Sequence, residues 1–123
     1  MLLDLENFKR QKKSECKKYY WRMEDALIDE LEIIAAENKT RKGIVIRYII
    51  DWACDEVESN KDFRKHMESV TMERNFNVGK RIMSYEIPPH TQKKLLKIKK
   101  KYRLYNLSYF VNESIRIFLE KNS

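Results

Sequence analysis

The fold is decided by residues 81–120, which read RIMSYEIPPHTQKKLLKIKKKYRLYNLSYFVNESIRIFLE. Apolar side chains at Met83, Tyr85 and Ile87 occupy every second position, and this alternation predicts a half-buried β-strand. Two prolines follow and end the strand, because proline cannot donate to a β-ladder but suits the first turn of a helix. Helical spacing of apolar residues then predicts one amphipathic helix to about Leu104 and, after a short break, a second helix.

A unit of one strand and two helices cannot satisfy the edges of its strand or bury its apolar face, so it needs a second copy. The strand with a polar outer face, the prolines Pro88 and Pro89 at the strand-to-helix step, and the two helices resemble the ribbon-helix-helix (MetJ/Arc-type) family of DNA-binding regulators. The resemblance implies that two copies pair their strands into an antiparallel ribbon. In that family the ribbon enters the DNA major groove above a core of four helices.

A similar order of elements occurs earlier in the chain. The segment Lys17–Met23, KKYYWRM, is rich in aromatics at alternating positions and predicts a strand. Helix signals follow to about Asn38, residues 40–43 break the pattern, and residues 44–57 predict a second, mostly apolar helix that should lie centrally in a core.

The two halves correspond position by position. An offset of 64 residues maps Met23 onto Ile87, and an offset of 65 maps Ile46 onto Val111. We therefore predict a mainly α fold with a short β-ribbon, made of two tandem ribbon-helix-helix units (β-α-α twice). The tandem layout resembles AvtR-like regulators of archaeal viruses. The first half departs from the family pattern in having Glu24 instead of proline at the strand-to-helix step.

The predicted organisation has four parts: an N-terminal arm at 1–16, a first unit at 17–58, a helical connector at 59–79 and a second unit at 80–123. In the connector, Asn60 is placed to cap a short helix. The arm is either a frayed amphipathic helix or a segment that contacts a neighbouring subunit or the DNA backbone.

Charge indicates which strands pair. Residues 17–58 carry seven basic and ten acidic side chains, a net charge of −3, whereas residues 80–123 carry eleven and three, a net charge of +8. Pairing the two halves of one chain is complementary and is favoured by their tether. We therefore expect a pseudo-twofold arrangement within one chain, with strands shared between two chains as the alternative. Self-association, as a dimer or as an array along DNA, is also expected.

Composition narrows the function. The chain of 123 residues has a net charge of +7 and a pI near 9.4, which favours an anionic partner, nucleic acid first and an acidic protein or membrane surface next. No apolar run is long enough to span a bilayer, so a cytoplasmic protein is expected, in the host cytoplasm if the protein is viral. Cys16 and Cys54 are expected to be reduced thiols. The charge-rich, glycine-poor composition would suit a protein from a thermophile.

The sequence has no glycine-rich phosphate loop, no catalytic pairing of side chains and no metal-binding cluster, so we predict that the protein is not an enzyme and binds no cofactor or small-molecule ligand.

Successive residues of a strand point to opposite faces, so the sequence predicts which side chains of the ribbon face outward. A major groove about 12 Å wide admits such a ribbon. Arginine and lysine donate to guanine edges, serine can donate or accept, and isoleucine packs on a thymine methyl. A glutamate would accept from cytosine or from a basic side chain. The predicted base-facing residues are Lys18, Tyr20, Arg22, Ile82, Ser84 and Glu86. The alternative is that they form only a solvated sheet face.

By the same resemblance, the start of the second helix in each half should bind a DNA phosphate, since a helix N-terminus offers free N–H groups and positive partial charge. The predicted phosphate contacts are Thr40, Arg41, Lys42, Gly43, Asn106, Leu107 and Ser108, with Lys80 at the start of the second strand. The lysine-rich run at 97–103 either touches more of the DNA backbone or is a solvated face.

These observations predict a sequence-specific, double-stranded DNA-binding transcription regulator that reads the major groove with a two-stranded ribbon. Activation and repression are both left open. The alternative is an antitoxin-like or adaptor protein, with a DNA-binding core and an N-terminal arm that binds a protein partner. RNA is a weaker candidate, because the grooves of an A-form helix suit a ribbon poorly.

Overall fold

Six helices and two strands make up the part of the chain that the computed structural model describes, residues 1–9, 15–73 and 81–122. In chain order they are α1 (Glu6–Lys9), β1 (Lys17–Met23), α2 (Asp25–Glu37), α3 (Lys42–Ser59), α4 (Lys61–Met72), β2 (Arg81–Ile87), α5 (Pro89–Lys101) and α6 (Leu107–Lys121). The break predicted at 40–43 is too long, because Lys42 and Gly43 already lie in the first turn of α3. The first helix after the prolines ends at Lys101 instead of near Leu104.

β1 and β2 form one antiparallel two-stranded sheet within the chain. Tyr20 lies opposite Ser84 at the centre of the ribbon, and the seven residues of each strand are paired from end to end. The pairing within one chain that charge favoured is therefore present.

The predicted fold class of two tandem ribbon-helix-helix units is wrong. The described chain is mainly helical and holds a single ribbon, to which each half contributes one strand, so neither half is a β-α-α unit with a sheet of its own. The helices of the two halves also share one core, in which α3 packs against α5 and α6. The physical reason is that each strand satisfies its backbone only on the strand of the other half.

α3 lies at the centre of this core, as its apolar sequence predicted. Ile46, Ile49, Ile50 and Ala53 are fully buried, and the helix packs against all five other helices and against β2. Such an element is apolar on most of its circumference because neighbours surround it.

Ion pairs join α3 to α5. Lys94 Nζ lies 2.8 Å from Asp51 Oδ2 and 3.0 Å from Asp55 Oδ1, and Lys101 Nζ lies 3.1 Å from Glu58 Oε2. The expected charge complementarity between the halves is thus made by acids on α3. The acidic α2 packs mainly against α3.

The predicted connector helix is present as α4. The side chain of Asn60 accepts hydrogen bonds from the N–H groups of Asp62 and Phe63 and so caps the helix. α4 packs against α3 and α6, and His66 on its surface lies 2.6 Å from the buried Glu113 of α6. The loop predicted at 75–79 lies outside the described residues.

The first nine residues pack against their own chain. Leu5 and Phe8 are buried against Ile44, and the side chain of Asn38 binds the backbone of Met1 and Leu3. These contacts cover the turn between α2 and α3, where Lys39 adopts a left-handed backbone conformation with a φ of 53°. The segment therefore helps to position the start of α3.

Within the described residues, no helix combines the length and the apolar character that a membrane span requires.

Candidate nucleic-acid interface

The outer face of the ribbon carries all six residues that alternation assigned to the bases. Lys18, Tyr20, Arg22, Ile82 and Ser84 are exposed, and Tyr20 and Ile82 keep 65% and 60% of their surface in solvent. Tyr20 and Ile82 are diagonal neighbours in the ribbon, so their exposed surfaces lie near one another. The sixth residue, Glu86, is half-buried.

The register places these residues in three cross-strand pairs. Lys18 lies opposite Glu86, Tyr20 opposite Ser84, and Arg22 opposite Ile82. One end of the ribbon therefore combines a cation with a carboxylate, and the other end combines a cation with an aliphatic side chain. A ligand that lies across the ribbon meets different chemistry at its two ends.

The inner face anchors the ribbon to the helices. Trp21, Met23, Tyr85 and Ile87 are buried, and the Trp21 ring stacks on Tyr85 with centroids 6.0 Å apart. Burial, with a contribution from the charge of Glu32, raises the pKa of Tyr85 to about 12, so its hydroxyl stays neutral inside the protein. Because one face is held by packed aromatics, the outer face is presented on a rigid support.

Arg47 of α3 holds the C-terminal end of β2. Its side chain is almost fully buried, and its Nε and Nη1 donate to the backbone carbonyls of Glu86, at 2.7 Å, and Phe8, at 2.8 Å. Its Nη2 also lies 3.9 Å from the carboxylate of Glu86. Burial lowers the pKa of the Arg47 guanidinium, against the raising effect of Cys16 and Glu86. The residue therefore ties α3, β2 and the N-terminal segment together.

Asn112 of α6 holds the C-terminal end of β1 in a similar way. Its Nδ2 donates to the carbonyls of Arg22, at 2.6 Å, and Ser108, at 2.8 Å, while its Oδ1 accepts from the N–H of Glu24 at 3.1 Å. Arg47 and Asn112 occupy positions 65 residues apart in the sequence. Each one binds the backbone of an outward-facing residue on the strand that comes from the other half.

A basic cleft of about 480 Å³ joins the ribbon to the start of α3. It is bounded by Ser84 and Glu86 of the ribbon and by Gly43 and Ile44 of α3. Its basic lining residues are Lys9, Lys18, Arg41, Lys42 and Arg47, against the single carboxylate of Glu86. An excess of positive charge in a concave surface next to a ribbon attracts an anion.

The N-terminus of α3 opens at this cleft. Arg41 is the cap residue and its side chain makes no capping hydrogen bond, so the first N–H groups of the helix are not satisfied by that side chain. Lys42 Nζ lies 3.3 Å from Glu32 in an exposed ion pair, which contributes little to stability. Thr40 precedes the cap and donates its backbone N–H to Ala35.

The N-terminus of α6 lies at the opposite end of the ribbon, because Asn112 links its first turn to Arg22. Asn106 caps this helix through the N–H of Tyr109, and Leu107 and Ser108 form the first turn. The predicted phosphate residues therefore fall into two groups at the two ends of the ribbon. Lys80, the remaining predicted contact, lies outside the described residues.

Sequence reasoning missed Arg47 and Asn112 as positioning residues. A signal was available for Arg47, because it interrupts the apolar helical stretch Ile44–Ile50. Lys9 was predicted only as part of the N-terminal arm, and α1 places it at the cleft.

Among residues 1–9, 15–73 and 81–122 there is no group of three metal-ligating side chains. Comparisons with protein families, with curated proteins and with solved structures find no match for this chain.

Proposed function

We propose that the protein is a sequence-specific, double-stranded DNA-binding transcription regulator that inserts its ribbon into the major groove. The observation that carries the proposal is the continuous surface made by the exposed outer face of the ribbon and the basic cleft at the start of α3. The ribbon supplies side chains suited to base edges, and the cleft supplies charge suited to phosphates.

The dimensions of the ribbon support this geometry. From Lys18 to Arg22 the strand advances by about 14 Å, at about 3.4 Å per residue. That distance matches the rise of about four base pairs of B-form DNA. The groove is wide enough for two strands side by side.

The two strands offer different side chains, Lys18, Tyr20 and Arg22 on β1 against Ile82, Ser84 and Glu86 on β2. A single chain should therefore select a core of about four or five base pairs that is not a palindrome. Selection of the full chain against a library of random duplexes tests the proposal. Enrichment of one asymmetric motif is the expected result, and recovery of random sequence would contradict specific reading.

Replacing Arg22 with alanine should weaken binding to the selected duplex by about 2 kcal/mol and relax the preference at one position, because a bidentate contact to guanine is lost. Fluorescence anisotropy on the selected and on a shuffled duplex measures both effects. Lys65→Ala, an exposed change on α4 away from the ribbon, is the matched control. An equal loss on both duplexes would remove Arg22 from base reading.

Replacing Lys42 with alanine should weaken binding to all duplexes alike, because its charge lies at the helix terminus that faces the cleft. Losing one phosphate contact should lower the slope of log K against log salt by about one unit. Titrations at several salt concentrations give the slope, again with Lys65→Ala beside them. A slope identical to that of the wild type would place Lys42 outside the phosphate contacts.

The antitoxin-like or adaptor function has no comparable support. Leu5 and Phe8 of the N-terminal segment are buried against their own chain, which leaves Leu2 as the exposed large apolar side chain of residues 1–9. Purification of the full chain from its host with a stoichiometric protein partner would restore this alternative.

A further inference from the structure

The outer face of α5 carries an apolar side chain in a basic surround. Leu96 keeps 50% of its surface exposed. Lys93, Lys99 and Lys100 are exposed at the helical spacings of three and four residues that make them its neighbours. An exposed apolar side chain among cations suits a partner surface that is apolar with acids at its edge.

A groove between α2 and α6 has the complementary character. It measures about 260 Å³, with Leu27 and Leu119 as its apolar lining and Glu30 and Glu120 as its acids. The remaining lining residue, Arg116, is bound to Glu120 and to the buried Glu113, so the groove stays acidic overall. One helical turn beyond Glu30, Ile33 adds a further apolar side chain that is 59% exposed.

We propose that these two surfaces join two copies of the chain, with Leu96 of one copy seated in the α2–α6 groove of the next. The lysines around Leu96 then face Glu30 and Glu120 at the edge of the groove. Within one molecule Leu96 is half exposed and is not part of the groove, and α5 packs mainly against α3. A second copy is the occupant that necessarily carries the matching surface.

The charges also restrict which surfaces of two copies can meet. A twofold arrangement of α5 on α5 would set lysines against lysines, and α2 on α2 would set acids against acids. A head-to-tail contact between the unlike surfaces avoids both clashes and leaves one groove and one basic face open at the ends, whereas a reciprocal twofold pair would stop at a dimer. Association should grow with concentration beyond a dimer and should weaken with salt.

Sedimentation velocity on the full chain without DNA tests this. The wild type should pass from monomer to larger species as its concentration rises, and less so when salt is raised from about 0.05 M to about 0.5 M. Leu96→Ser should weaken association by about tenfold or more, since it removes the side chain that fills the groove. Leu2→Ser, at a residue 84% exposed on the N-terminal segment, is the matched control and should change nothing.

Mixing two variants tests whether the α5 face of one copy binds the groove of another. Glu30→Lys should prevent association by reversing the charge of the groove, with Glu73→Lys, at an exposed acid that follows α4, as its control. An equimolar mixture of Leu96→Ser and Glu30→Lys should form a dimer and nothing larger, because only one intact α5 face and one intact groove remain in each pair. Circular dichroism confirms that both variants are folded. A wild type that stays monomeric at every concentration, a mixture that stays monomeric, or single variants that associate like the wild type would overturn the proposal.

Discussion

Replacing Arg47 with alanine should lower the free energy of unfolding by about 4 kcal/mol, the largest effect that we expect from a single substitution near the ribbon. The change removes the donors to two backbone carbonyls, those of Glu86 and Phe8, from a site that is almost closed to water. It also removes the packing of a long side chain against the core. Urea denaturation followed by circular dichroism measures the loss.

Two further variants make this test specific. Arg47→Lys keeps the charge but cannot reach both carbonyls with one planar group, so it should fall between alanine and the wild type. Arg41→Ala, a neighbouring exposed arginine, should change stability by no more than about 0.5 kcal/mol. A loss below about 1 kcal/mol for Arg47→Ala would mean that these hydrogen bonds contribute little to the fold.

Asn112→Ala should lower the free energy of unfolding by about 3 kcal/mol, because it leaves the carbonyl of Arg22 and the N–H of Glu24 without their partner in a partly buried site. It should also loosen the end of β1. Amide hydrogen exchange is expected to become faster at Glu24, and urea denaturation gives the total effect.

Asn112→Asp distinguishes the two roles of this side chain. The aspartate oxygens can still accept from the N–H of Glu24 but cannot donate to the carbonyl of Arg22. Exchange at Glu24 should therefore stay close to that of the wild type, while stability falls. If exchange at Glu24 is unchanged even in Asn112→Ala, the hydrogen bond to that N–H is not the one that holds the strand.

Both substitutions connect stability to the proposed DNA binding. Arg47 and Asn112 bind the backbone of Glu86 and Arg22, which are themselves outward-facing residues of the ribbon. A side chain that reads bases must be held close to its working geometry by the residues behind it. Under conditions in which the variants remain folded, we therefore expect them to bind the selected duplex less tightly, although neither side chain lies on the outer face.

The local elements were largely predictable. The alternation of apolar and polar residues in KKYYWRM and RIMSYEI predicted both strands and the face that each residue occupies, because one face of a ribbon is buried and the other is exposed to solvent. Asn60 was predicted to cap α4 from its residue type and its position before an amphipathic stretch. The fold class was not predicted correctly, because counting repeated elements does not reveal whether each half has a sheet and a core of its own.

The sequence by itself determined the strands, their inward and outward faces, most of the helices and the basic character of the protein, since these follow from spacing and composition within about one element length. Charge favoured the pairing of the two strands within one chain, but only the tertiary structure decided that the helices of both halves share one core and that Arg47 and Asn112 hold the ribbon. The hydrogen bonds of these two side chains join residues 39 and 90 positions apart. Contacts over such separations depend on how the helices pack, and packing leaves no local pattern in the chain.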